Sequence, residues 1–142
     1  MKNKNVMINL VSFQSDGREK SKIEIISEGK FSKINGNYEI SYEETEATGF
    51  EGSRTKLTVT DGSLVTMERS GSASSHLVLE RGKKHHCHYG TPYGDFMVGV
   101  TTSFIESKLD ENGGTLDFKY VIDINSSYIG DYEINIKVNA DA

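Results

Sequence analysis

Apolar and polar residues trade places along this chain with a period of two, in one short run after another, and almost nowhere with the period of a helix. Residues 6–15 form the first run. Val6, Ile8 and Leu10 fall on one face and Met7, Val11 and Phe13 on the other, which predicts cover on both sides. Residues 22–32 form the second, with Ile23 and Ile25 inward and Glu24 outward. Its segment Ile26-Ser27-Glu28-Gly29 breaks the parity and predicts a bulge or a bend at Gly29. The third run goes from Asn37 to about Ala47, with Tyr38, Ile40, Tyr42, Glu44 and Glu46 on one face. Residues 54–60, 63–70, 75–81 and 83–89 follow. Residues 95–109 predict one long strand or a bent pair. Residues 115–125 alternate most cleanly, and Tyr132, Ile134, Ile136 and Val138 define a last strand.

Turn signals separate these runs. Asp16-Gly17, Asp61-Gly62 and Asp110-Glu111-Asn112-Gly113-Gly114 are breaks, and Asn35-Gly36 is the strongest short hairpin signal. The single proline stands in Thr91-Pro92-Tyr93-Gly94, where its fixed φ marks a corner that cannot slide. No connection is long enough for a helical crossover. A sequential meander of this length leaves bare edges unless it curls shut. The predicted fold is therefore all-β: one antiparallel up-and-down barrel of about 8–10 strands, formed by residues 1–142 as a single domain. The rival, an open sandwich with Greek-key links, needs at least one long return.

Composition narrows the partners. The net charge is −5 and the pI about 5.4, so nucleic acid and anionic membrane surfaces are not expected to bind. Arg81, Lys83 and Lys84 make the nearest thing to a basic patch. One cysteine, Cys87, excludes an intramolecular disulfide and fits a reducing compartment. No apolar stretch approaches the roughly 18 residues of a spanning helix, and a cytoplasmic protein is expected.

Three constellations carry candidate chemistry. In the first, period two turns Glu44 inward beside Tyr42, where a buried carboxylate needs a partner; Arg69 supplies one of opposite charge and forked shape. Such a pair is a ligand anchor inside a cavity, or else the strand projects past the core and Glu44 and Glu46 are solvated at the rim. In the second, Tyr38, Tyr42, Tyr89, Tyr93 and Tyr120 offer flat faces with a hydroxyl each, to line a pocket or to fill the interior. The third is Lys84-His85-His86-Cys87-His88. His86 and His88 share a strand face, and His76 on the preceding run is the third imidazole within reach of a zinc or copper site. Without a metal, these are surface or partly buried polar residues. No nucleophile elbow or phosphate loop is present, so no enzyme activity and no cofactor are expected.

Val6 to Phe13, Tyr42-Glu43-Glu44-Thr45-Glu46, Arg69-Ser70-Gly71, Thr91-Pro92-Tyr93-Gly94 and the Asp110–Gly114 turn, in this order and spacing, resemble the YwiB-like family. These are small bacterial proteins of unknown function grouped with the calycins, the lipocalin and fatty-acid-binding barrels. The resemblance implies a calycin-like barrel in a bacterial cytoplasm and brings no ligand, reaction or catalytic residue with it. The leading expectation is a barrel that binds a small molecule or peptide in its interior, with Tyr38, Tyr42, Glu44, Arg69, Tyr93 and Tyr120 as candidate ligand-binding residues. A second reading is a solid-core assembly protein that forms a homodimer through outer-face residues such as Val65, Met67, Val98 and Val100. A metal-dependent enzyme built on His76, His86 and His88 is the third.

Overall fold

The computed structural model describes residues 3–46, 50–72, 74–91 and 94–139. Ten strands follow one another: β1 (Lys4–Ser15), β2 (Lys20–Ile34), β3 (Asn37–Glu43), β4 (Ser53–Asp61), β5 (Leu64–Gly71), β6 (Ser75–Glu80), β7 (Lys84–Thr91), β8 (Gly94–Asp110), β9 (Gly113–Ile124) and β10 (Ser127–Asn139). Each pairs antiparallel with its neighbours in sequence, and β1 closes the ring against β10 from Met7↔Asn139 to Ser15↔Asp131. The barrel is closed, and the two-layer rival is excluded. No helix among the described residues is long and apolar enough to cross a membrane.

Period two decides what the barrel encloses. Val6, Ile8, Leu10, Ile40, Leu57, Leu77, Leu79, Leu116, Phe118 and Ile136 all point inward and are buried in one contiguous apolar cluster. Burying each such side chain is worth about 1.5–3 kcal/mol relative to leaving it exposed. Outward positions on β1 are half-exposed rather than covered, and Phe13 is exposed. The same parity corrects the dimer-face expectation. Val65, Met67, Val98 and Val100 are buried, because Val65 and Met67 share a face with inward Arg69, and Val98 and Val100 face the same interior from β8. β8 is one long strand. A register shift between Thr102 and Phe104 changes its parity, so that Thr102 and then Ile105 are both buried.

Turn chemistry pins the register. Asn35 and Gly36 take φ of 52° and 83°, the left-handed pair that a tight hairpin requires. Asp16 Oδ1 accepts the N–H groups of Arg18 and Glu19 at 2.9 and 2.8 Å and shapes the β1–β2 turn. Pro92 and Tyr93 lie outside the described residues; their flanks Thr91 and Gly94 pair across the β7–β8 hairpin.

Two expectations change. β3 stops at Glu43 rather than near Ala47, because β4 begins at Ser53 and the ladder register ends at Glu43↔Arg54, with one further hydrogen bond from Glu44 to Ser53. The bulge expected at Gly29 is not there: the β1–β2 register runs unbroken from Lys4↔Phe31 to Ser15↔Lys20. Gly29 instead marks a close approach. A Cβ there would stand 2.3 Å from Ile8 Cδ1 and 2.5 Å from the Ser41 carbonyl oxygen.

One seam is looser than the rest. β6 and β7 pair at Ser75↔Tyr89 and His76↔His88. Beyond these, the Val78 N–H donates to Cys87 Sγ at 3.3 Å, and Arg81 bridges instead to Thr102 on β8. Burial pushes the Cys87 thiol above its ordinary range.

Gly29→Ala is expected to destabilise the fold by about 1–3 kcal/mol through overpacking in urea denaturation. Gly62→Ala, where an added Cβ meets nothing within 4 Å, is expected to stay within about 0.5 kcal/mol of the parent.

Candidate functional site

One end of the interior is polar. The chain enters it at the last inward positions of β3, where Tyr42 is buried and Glu44 follows one residue past the strand. The Glu44 N–H donates to the Ser53 carbonyl at 2.8 Å, which holds the first residue after β3 against the first of β4. Its carboxylate takes a hydrogen bond from Thr55 Oγ1 at 2.6 Å. Arg69 of β5 brings Nη2 to 3.6 Å from the same oxygen. That separation makes an ion pair rather than a good hydrogen bond. Both side chains are out of water, at 10% exposure for Arg69 and 2% for Glu44.

Phe50 lies over Arg69, its ring centroid 3.7 Å from the guanidinium carbon. A turn places it: the Ser53 N–H donates to the Phe50 carbonyl at 3.0 Å, with Gly52 at φ +88°. Ser72, from the β5–β6 connection, ties that turn down through its hydroxyl to the Glu51 carbonyl at 2.7 Å. The Phe50 ring meets Tyr89 edge-on at 6.4 Å.

Tyrosines complete the end. Tyr120 of β9 is buried and stacks on Tyr132 of β10 at 5.1 Å and on Phe118 at 6.1 Å. Burial, and then the neighbouring Tyr89 and Tyr132 phenols, push Tyr120 far above the ordinary tyrosine range, with Arg69 acting in the opposite sense. Burial, and then the Glu44 carboxylate, do the same to Tyr42. The same influences tie Tyr120 to Tyr42, Tyr89, Tyr132 and Arg69 as one group of neighbours. A groove of about 400 Å³ reaches Tyr120 and Tyr132, lined also by Phe13, Gln14, Lys119 and Glu133; Arg69 and Glu44 do not line it.

Of the residues the sequence singled out, Tyr42, Glu44, Arg69 and Tyr120 come together here. Tyr38 does not: four residues along β3 it is roughly 13 Å away, stacked on Phe31 at 5.6 Å beneath Lys33. Tyr93 lies outside the described residues. Glu46 is exposed rather than inward, because the chain has left the sheet. Thr55, Phe50 and Tyr132 belong to the group and carried no sequence signal beyond parity.

The histidines stand elsewhere. His76, His86 and His88 are exposed on the outer face, while His85 Nε2 lies 2.9 Å from Glu80 Oε1. Among the described residues no three His, Cys, Asp or Glu side chains converge as a metal site.

Stability is expected to fall as pH rises past about 10, where unfolded tyrosine ionises and folded Tyr42 and Tyr120 do not. The sign follows from the raised folded pKa values: the stabilisation is complete below the unfolded value and is lost as pH climbs through the folded one. A spectrophotometric titration of the folded protein should leave two of the seven phenols un-ionised until the chain unfolds. Ionisation of all seven at the ordinary pKa with the fold intact would contradict this.

No curated protein matches the sequence. Its fold is similar to that in the crystal structure of ywiB protein from Bacillus subtilis, with a TM-score of 0.86 over 99% of this chain and 94% of that one. At 19% identity the likeness is one of fold. The family model described as Domain of unknown function (DUF1934) matches residues 8–136, and the chain belongs to that family.

Proposed function

We propose that this barrel binds a small molecule or a short peptide segment at its tyrosine-lined end. The ligand sets a hydrogen-bond acceptor against Arg69 and lays a flat apolar body on the tyrosine rings. One observation carries the reading. Among the described residues, the buried Arg69 Nε–H has no acceptor. A buried donor left without a partner costs about 1–3 kcal/mol. The ion pair beside it gives no sure return, since apolar replacements of buried pairs are often neutral or stabilising. A polar group kept inside at such a cost suits a role in recognition.

Charge narrows the ligand. Glu44 already balances Arg69, so an incoming anion would leave a surplus negative charge out of water. A neutral acceptor, such as an amide or ketone oxygen, fits the vacant donor better. The groove beside Tyr120 and Tyr132 falls within the size range of small-molecule sites and gives room for a flat body on those rings, with Arg69 outside its lining. The calycin-like barrel adds an analogy of fold, a weaker support than the residues. A cytoplasmic setting suits the acidic chain with its single thiol.

A second reading, assembly through the outer face, is favoured by Ile26, which stands 74% exposed on β2.

The test is mass spectrometry under non-denaturing conditions on protein purified from the cells that naturally make it. Wild-type protein and the distant variant Tyr38→Phe are expected to carry the same small-molecule adduct. The paired variant Glu44→Gln with Arg69→Met, which removes both charges together, is expected to lose it while keeping its melting temperature within a few degrees. Equal adduct on the paired variant, or none on the wild type, would contradict the proposal.

A further inference from the structure

The geometry points to a copper(I) site on the outer face of the barrel, held by His76, His88 and Met97. It is independent of the reading of the interior. β6 and β7 put His76 and His88 directly opposite one another. The β7–β8 register puts Met97 directly opposite His88 on its other side. Their chain neighbours Leu77, Cys87 and Val98 are buried, so all three point outward in one row across three strands. Directly opposed positions in such a row have Cβ atoms about 4.5–5.5 Å apart.

The donor set selects the metal. A soft thioether beside two borderline imidazoles suits copper(I) and poorly suits magnesium or calcium. Structural zinc asks for four ligands from Cys, His, Asp or Glu. The described residues bring no three such side chains together, and it is Met97 that completes this set. Met97 is 63% exposed on a strand whose other face builds the core. A long apolar side chain in that position, beside an imidazole, is accounted for by coordination.

The surroundings fit. Asp95 Oδ1 stands 3.9 Å from His88 Nε2, beyond hydrogen-bonding distance, and adds a negative charge beside the row that favours a bound cation. His86 shares the outer face but lies opposite Gly99, in a different row. It is therefore left out of the set. The row also sits where the regular β6–β7 pairing ends, so an ion bridging His76 and His88 would clasp the loosest seam of the barrel.

Copper(I) is titrated into the full chain under reducing conditions in competition with bicinchoninate, a chromophoric copper(I) chelator. Wild-type protein is expected to withdraw one equivalent. Affinity is expected to drop by more than about tenfold in His88→Ala and in Met97→Leu, because losing even an outer-shell partner of a metal ligand costs that much. His86→Ala should bind as wild type does, and bound copper(I) should raise the melting temperature of the wild type. No uptake by the wild type overturns the site. So does uptake unchanged in His88→Ala and Met97→Leu, or an equal loss in His86→Ala.

Discussion

The pairing of β1 with β10 gives this chain an inside. Until the first strand meets the last, ten antiparallel neighbours form a ribbon with two bare edges and two wet faces. Once they meet, period two divides the residues between a shielded lumen and the solvent, and each inward side chain is committed. Ile8, Leu10 and Ile136 join the apolar cluster for this reason, and Glu44 and Arg69 are carried out of water for the same reason. The polar end follows from closure: residues that would be unremarkable on an open sheet become a buried ion pair with an unfilled donor.

The lumen is divided lengthwise in chemistry. Its body holds aliphatic and aromatic side chains in contiguous contact. One end gathers Tyr42, Glu44, Thr55, Arg69, Tyr89, Tyr120 and Tyr132, roofed in part by Phe50. The body supplies stability through buried area and asks nothing of geometry beyond fit. The polar end adds little or no net stability, since desolvation of both charges offsets their attraction. What it contributes is directional: donors and ring faces held in fixed places by Thr55 and by the Phe50–Ser53 turn.

Much of this was legible in the chain. Alternation marked ten runs, Asn35-Gly36 marked its hairpin, and the parity of Tyr42 and Glu44 carried both inward. Where the reading failed, it failed for local reasons. Val65 and Met67, expected on the outer face, share the parity of Arg69 and are inner. Gly29 looked like a broken pattern, but its position shares the inward parity of Ile25 and Phe31, and its missing side chain makes room for Ile8. Glu46 was assigned to a strand that ends when its partner does. Phe50 and Tyr132 were invisible because nothing in a single sequence says which loop folds over which end, or which two tyrosines on adjacent strands will stack. Neighbouring runs put His76 within reach of His86 and His88, but only the pairing register selects His88 and adds Met97.

The central claim is that Arg69 keeps a donor vacant for something that is not part of the chain. An electron-density map of protein isolated from its natural source tests it most directly. The account predicts density for a bound molecule within hydrogen-bonding distance of Arg69 Nε, between Phe50 and the tyrosine rings. A map in which the protein's own side chains fill that space, or in which a lone ordered water satisfies Nε, would contradict it.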